Sequence, residues 1–170
     1  HPLSKSTMDA LSDGALATVL PESDELDNGQ VRRVVLCSGK VYFDLLTERR
    51  RREIGDIAIL RVEQLYPFPR RRLARMLADY PAAAEIVWCQ EEPRNQGAWY
   101  QIQHHLRAIK HGEQTLGYAG RPPSASPTCG YARLHTAQQQ ALIDTALSDH
   151  PVDDPGERLD DYDTHNPASP

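Results

Sequence analysis

The chain has 170 residues, 39% of them hydrophobic, which is enough for one ordinary core but not for two. Its formal net charge of −5 is unevenly distributed: residues 149–170 hold seven acids and one arginine, so the rest is close to neutral and nucleic-acid binding is disfavoured. No apolar run has the length of a signal-peptide core or a membrane span, and three cysteines without metal-type spacing suit a reducing compartment, either the cytosol or the mitochondrial matrix.

Three segments follow from the sequence pattern. Residues 1–30 are rich in turn formers such as Asp27-Asn28-Gly29, which predicts an entering linker. Residues 31–148 alternate short β-branched runs with segments of helical period. Residues 149–170 combine acidic residues with four prolines and few large apolar side chains, which predicts an acidic, disordered tail.

The middle segment predicts a βαβαβαβα order. The runs that form strands do not alternate between apolar and polar residues, which indicates burial on both faces. We therefore expect an α/β fold, a three-layer α/β/α sandwich with a mostly parallel central sheet. The predicted strands are Arg33 to Cys37, Ile57 to Val62, Glu85 to Cys89 and Leu116 to Ala119, and the predicted helices are Val41 to Arg52, Arg70 to Tyr80, Ala98 to Lys110 and Arg133 to Leu147.

The loops that follow the strands are the places to look for a ligand, because open parallel sheets bind ligands at the carboxyl ends of their strands. The first loop, Ser38-Gly39-Lys40, lacks the full phosphate-binding loop pattern. Its spacing favours a tight turn with a solvated Lys40 over a phosphate site.

The second loop leads into a helix that starts with Arg70, Arg71 and Arg72. Cations at that end oppose the helix dipole, and an anion would remove the conflict. The guanidinium groups of the arginines, together with Gln64, could then bind a phosphate or a carboxylate. The alternative, a solvated arginine face balanced by acids on a neighbouring domain, stays open.

The third loop runs from Gln90 to Trp99 with the sequence QEEPRNQGAW. Glu91 and Glu92 are adjacent on an extended segment and point to opposite sides, so they do not form an acid/base pair. Either Asn95 or Gln96 can cap the next helix. A structural joint is favoured here over an interface or ligand contact.

The remaining chemically active residue types carry no catalytic pattern. The proline-rich loop from Arg121 to Tyr131 holds serines without a nucleophile elbow or an identifiable base. His104, His105 and His135 lack metal-type spacing, which favours structural or exposed roles. We therefore predict no catalytic residue and no metal site in this chain.

Five blocks of sequence, in order, resemble one family. They are CSGKVYFDL from Cys37, RVEQLYPFP from Arg61, WCQEEPRNQGAW from Trp88, YAGRPPSASP from Tyr118 and GYARLHTAQQQALI from Gly130. The chain is identified as a member of the thiamine-diphosphate-dependent first component of the 2-oxoglutarate dehydrogenase complex, by similarity to its last, transketolase-C-like domain.

The resemblance implies a parent homodimer that decarboxylates 2-oxoglutarate in the tricarboxylic acid cycle. That parent uses thiamine diphosphate and magnesium, and it passes a succinyl group to the lipoyl domain of a dihydrolipoyl succinyltransferase. These cofactors bind the preceding domains, and this chain lacks the G-D-G…N-N diphosphate motif. We expect the domain to contribute packing within the protein and the dimer.

The resemblance also implies an effector site. Some relatives bind activating acetyl-CoA on this domain, and the residues that do so resemble Gln64, Arg71, Arg72 and Thr18 here. The expected effector is an acyl-CoA or a nucleotide. A basic residue expected just before the serine position aligns near Ala15, so the affinity for CoA or the choice of effector is expected to differ from those relatives. Three alternatives remain: a 2-oxoadipate dehydrogenase-type component, a free-standing anion-binding regulatory module, and a purely structural dimerisation domain.

Overall fold

The computed structural model describes residues 17–125 and 132–156, with backbone only for 132–134. These residues form five strands and four helices. The strands are β1 (Val19–Leu20), β2 (Arg33–Cys37), β3 (Ile57–Val62), β4 (Glu85–Pro93) and β5 (Thr115–Arg121). The helices are α1 (Val41–Arg51), α2 (Arg70–Leu77), α3 (Trp99–Ile109) and α4 (Ala132–Ala146).

The strands form one sheet with the order β1-β3-β2-β4-β5. Strands β2 to β5 are parallel, and β1 alone pairs antiparallel, with Val19 opposite Val62. All five residues of β2 are buried, because helices cover both faces of the sheet. Helices α2 and α3 pack on one face through one core cluster, and α1 and α4 pack on the other. The three-layer α/β/α architecture is therefore confirmed.

The predicted elements match closely, with corrections at their ends. Strand β4 continues to Pro93 instead of ending at Cys89, and α2 ends at Leu77 instead of Tyr80. Strand β1 was not predicted, since two residues carry too little periodicity to indicate a strand. The part of the Arg121 to Tyr131 loop beyond residue 125 lies outside the described residues.

Part of the predicted linker is built into the domain. Val19 is fully buried, and Glu22 reaches the core, where its carboxylate accepts the Ile59 amide at 2.7 Å and bonds Arg49. The Arg49 side chain is 1% exposed and also contacts Asp24, at 2.7 Å. Burial alone would lower the pKa of Arg49, but the two carboxylates outweigh it and raise that pKa. Residues 1–16 lie outside the described part.

The beginning of the predicted tail also packs against the domain. Arg33 is buried and pairs with Glu85 at 2.6 Å, and its guanidinium donates to the carbonyls of Ala146 and His150. The second oxygen of Glu85 accepts the Val152 amide at 2.6 Å. A buried ion pair at the amino ends of β2 and β4 therefore holds the chain after α4. The rest of the predicted tail, residues 157–170, lies outside the described residues.

Candidate functional site

The loop between β3 and α2 brings part of the predicted anion site together. The carbonyl of Thr18 accepts the amides of Glu63 and Gln64, at 3.0 and 3.1 Å. Thr18 and Gln64 are therefore neighbours although 46 positions separate them in the chain. The Gln64 side-chain amide donates to the carbonyl of Pro67 at 2.7 Å, and its side-chain oxygen has no hydrogen-bond partner among the described residues.

Helix α2 begins beside this loop without a side-chain cap. Its cap residue is Pro69, and the first turn contains no acidic residue. The Arg70 amide donates to Phe68 and the Leu73 amide to Pro69. Between them, the amides of Arg71 and Arg72 have no acceptor among the described residues. Free amides at a helix start are the groups that bind an anion in many proteins.

Arg71 and Arg72 are both exposed, and neither forms an ion pair within the described residues. The predicted set thus divides in two: Thr18 and Gln64 are in contact, and the two arginines occupy the adjoining first turn of α2. Among the described residues, the Gln64 side chain bonds Pro67 and neither arginine, so a ligand that used all four residues would have to bridge the two halves.

Helix α3 stabilises the same loop from its other side. The rings of Phe68 and His105 stack with centroids 5.0 Å apart, and His104 lies against His105. Burial, followed by the charges of His104 and Arg70, lowers the pKa of His105. His105 was expected to be structural or exposed; the contact with Phe68 gives it a positioning role for the loop that precedes α2.

A cavity of about 420 Å³ opens at the carboxyl ends of β2 and β4. The strand order β3-β2-β4 shows that the chain continues from β2 to one side of the sheet and then crosses to the other side at β4. The cavity lies at this switch point, which is the usual ligand position in an open parallel sheet. The predicted tight turn is present, with Gly39 at a φ of 71°. Lys40 is 69% exposed but pairs with Glu91 at 3.0 Å, and this hydrogen bond raises the pKa of Lys40. The cavity also borders Leu65, so it adjoins the loop described above.

The loop from Gln90 to Trp99 is held by a residue that the sequence pattern did not single out. Gln90 is buried, and its side-chain oxygen accepts the Trp88 indole at 2.8 Å and the Trp99 amide at 3.1 Å. It therefore takes the role predicted for Asn95 or Gln96, because it reaches the helix start from the preceding strand. Asn95 and Gln96 do not cap the helix; their side-chain amides donate to the Ser124 carbonyl.

The carboxyl edge continues into a polar network on the other face. Gln139 of α4 donates to Glu91 at 2.9 Å and to Asp44 at 3.0 Å. Arg121 contacts Gln139 and His135. Glu91 is thus turned inward while Glu92 stays exposed, so the two carboxylates do not act together. Within the described ranges, no three His, Cys, Asp or Glu side chains converge as metal ligands, and no helix has the length and hydropathy to cross a membrane.

Comparison with known proteins assigns the family. The model for the 2-oxoglutarate dehydrogenase C-terminal family matches residues 5–147. The chain belongs to this family. Among curated relatives, the 2-oxoglutarate dehydrogenase E1 components of Haemophilus influenzae and Cupriavidus necator are 52% and 50% identical, over 87% and 84% of this chain. The same component from Azotobacter vinelandii is 51% identical over 87%.

This family member spans only 15–16% of the length of those relatives. Among solved structures, a split-gene transketolase described as an inactive β4 tetramer superposes with a TM-score of 0.51 at 10% identity, over 69% of this chain and 38% of that one. That likeness concerns the fold alone, and it agrees with the transketolase-like C-terminal architecture expected from the sequence.

Proposed function

We propose that this chain works as the C-terminal domain of a bacterial 2-oxoglutarate dehydrogenase E1 component. The observation that carries the proposal is the identity of 50–52% to three bacterial proteins of that name across most of the chain. Their names favour 2-oxoglutarate over 2-oxoadipate as the substrate. In this proposal the parent protein is a cytoplasmic homodimer that decarboxylates 2-oxoglutarate in the tricarboxylic acid cycle.

The chemistry of the parent belongs to its other domains. Thiamine diphosphate with magnesium would supply the decarboxylating chemistry, and the succinyl group would pass to the lipoyl groups of a dihydrolipoyl succinyltransferase. We assign that cofactor to the preceding domains, because the sequence of this chain lacks the G-D-G…N-N diphosphate motif. We therefore assign this domain the roles of packing against the preceding domains and the dimer partner, and of sensing an anionic effector.

The effector site proposed here comprises Thr18, Gln64, Arg71 and Arg72. Its support is local: two exposed arginines and two free amides share the first turn of an uncapped helix, and the dipole of that helix favours an anion there. Gln64 lies one loop away with an unpaired side-chain oxygen. An acyl-CoA or a nucleotide combines phosphate groups for the arginines with polar groups for a glutamine.

Substrate preference can be tested with the whole protein. E1 carrying this domain, with its preceding domains, is loaded with thiamine diphosphate and magnesium, and CO₂ release from 2-oxoglutarate and from 2-oxoadipate is measured. We expect a higher kcat/KM for 2-oxoglutarate. A preference for 2-oxoadipate, or no release from either acid, contradicts the proposed activity.

The effector site has a separate test by titration calorimetry on the same protein. Acetyl-CoA and AMP are titrated into the wild type, into Arg71→Ala/Arg72→Ala, and into the charge-matched control Arg50→Ala/Arg51→Ala on α1. We expect binding of at least one ligand to weaken about tenfold or more only in the α2 variant, since two charge-assisted contacts are removed. Equal binding by all three proteins contradicts the effector site.

A further inference from the structure

The loop between β3 and α2 carries an exposed apolar tip. Among the described residues, the large hydrophobic side chains that are exposed are Leu65 and Tyr66, at 38% and 92%. Pro67 follows them and is exposed as well. We call these three residues the apolar tip. A single exposed apolar residue is ordinary on a protein surface, but three in succession call for a functional reason.

The apolar tip is held in place at both of its ends. Before it, the carbonyl of Thr18 accepts the Gln64 amide at 3.1 Å. After it, the ring of Phe68 stacks on His105 of α3. Within the loop, the Gln64 side chain donates to the Pro67 carbonyl at 2.7 Å. A loop that is ordered beforehand loses little conformational entropy on binding, so a fixed and exposed tyrosine is well suited to anchor an interface.

The chain enters the domain beside the apolar tip. Strand β1 runs antiparallel to β3, with Val19 opposite Val62, the last residue of β3. The chain before β1 therefore arrives at the carboxyl ends of the parallel strands, where Thr18 contacts the loop. The segment after α4 lies at the opposite edge, since it is bonded to Arg33 at the amino end of β2. Polypeptide that precedes this domain thus joins it at the edge that carries the tip.

The relatives contain the polypeptide that would cover the tip. This chain spans 15–16% of the length of the E1 components that it matches, and the matching family is their C-terminal one, so most of such a protein precedes this domain. A second copy of this domain is a poorer partner, because one tyrosine buries about 150–250 Å² whereas a stable interface between separate chains buries about 800 Å² on each side. A domain of the same polypeptide can be held by a smaller contact, because the covalent link keeps its local concentration high.

We propose that the apolar tip is the anchor by which this domain packs against the domains that precede it in the parent E1 component. Tyr66 is the central side chain of that contact and is buried in the parent protein. The cavity at the carboxyl ends of β2 and β4 borders Leu65, so the contact extends to the mouth of that cavity. The inference rests on the proposed function, because it takes the preceding domains of such a protein as the partner.

Hydroxyl-radical footprinting compares the apolar tip in two unmodified proteins, the 170-residue chain and the parent E1 component that contains it. Peptide mass spectrometry reports the oxidation rate at each side chain. We expect Tyr66 to be oxidised at least roughly fivefold more slowly in the parent, since an aromatic anchor at the centre of an interface is almost fully excluded from water. His111 is exposed at the amino edge of the sheet, beside the start of β5, and its rate should be alike in both proteins. Equal rates at Tyr66 overturn the proposal, and so does equal protection of His111, because the protection is then not specific to the carboxyl edge.

Photo-cross-linking in the parent protein identifies the partner of the tip. The photoreactive benzoylphenylalanine replaces Tyr66 in one variant and Glu113, which is exposed at the amino edge, in a matched control. We expect position 66 to cross-link to peptides of the preceding domains, in higher yield than position 113. A cross-link from position 66 to the C-terminal domain of a second copy overturns the proposal, as does the absence of any cross-link there.

Release of CO₂ from 2-oxoglutarate by the same wild-type preparation separates the two ways in which the reasoning can fail. Release by a protein whose Tyr66 is unprotected overturns this contact and leaves the proposed function standing. Absence of release contradicts the proposed function, whatever the protection of Tyr66.

Discussion

Replacing Glu22 by alanine should destabilise the domain far more than a surface substitution does. Both oxygens of the Glu22 carboxylate accept hydrogen bonds from the Arg49 guanidinium, at 2.5 and 2.8 Å, and one of these oxygens also accepts the Ile59 amide. The side chains of Glu22 and Arg49 are 7% and 1% exposed. Removing one partner of a buried pair leaves the other charge uncompensated, which costs about 3–5 kcal/mol.

In a domain of this size that loss corresponds to a fall in Tm of roughly 6–20 °C, at about 2–4 °C per kcal/mol. Urea unfolding followed by circular dichroism measures the free energy directly. Asp24 remains beside Arg49 in the variant and should hold the loss to the lower half of the range. Arg51→Ala, which removes an exposed pair on the same helix, is the control and should leave the midpoint unchanged.

The double variant Glu22→Leu/Arg49→Met distinguishes the effect of the two charges from the effect of the volume that the two side chains fill. Replacing both charges with apolar groups of similar size can be almost neutral, whereas each single replacement leaves a buried charge. We expect the double variant to be more stable than either Glu22→Leu or Arg49→Met alone. Additive losses, or a Glu22→Ala variant that loses less than about 1 kcal/mol, would refute the reasoning that a buried charge decides the cost.

Further predictions concern acid stability, thiol reactivity and a close backbone approach. The hydrogen bond from Arg50 is the main cause that lowers the pKa of Asp24 from 3.8 to about 2. Its contribution should be complete above about pH 4 and lost as the pH falls towards 2, so Asp24→Asn should flatten the dependence of the unfolding free energy on pH in that window. Burial raises the pKa of Cys37 and Cys89, so iodoacetamide should label these two thiols only after denaturation. Peptide mass spectrometry measures the labelling at each cysteine, and labelling in the native protein would contradict their burial. A Cβ at Gly97 would lie 2.1 Å from the side-chain nitrogen of the buried Gln90, so Gly97→Ala should lower the free energy of unfolding by about 1–3 kcal/mol, as measured in urea. Gly55 has open space around it, so Gly55→Ala is the control and should not destabilise the domain. Equal urea midpoints for the two variants would contradict the close contact at Gly97.

The regular elements were predictable because their signals are local. The β-branched runs of β2 and β3 have the lengths that the structure shows, and uninterrupted burial reflects the two helical layers. The ends of elements were less predictable. Strand β4 continues to Pro93 because it resumes pairing with Arg121 of β5 after an irregularity, and this interaction is between residues far apart in the sequence.

Residues that act over long sequence distances escaped the sequence pattern. Glu22 sits among turn formers, and its partner Arg49 is 27 positions away. Gln90 looked like part of a motif, yet its function depends on meeting Trp99 nine positions later. For the candidate site, the sequence indicated Arg71 and Arg72 through the helix dipole. The contact between Thr18 and the loop before α2 depends on β1, which the sequence did not predict.

The edges of the sheet have a consequence for how the domain behaves in solution. A long unpaired edge strand is a template for aggregation, and native proteins shorten or cover such edges. Here one edge is the two-residue β1, and the other, β5, is covered where the Tyr118 amide donates to the Asp153 carbonyl. Gly117 leaves room for Val152 to lie directly on that strand. The residues after position 147 therefore cover the β5 edge, and a protein cut at residue 147 is expected to expose that strand to pairing with a neighbouring molecule.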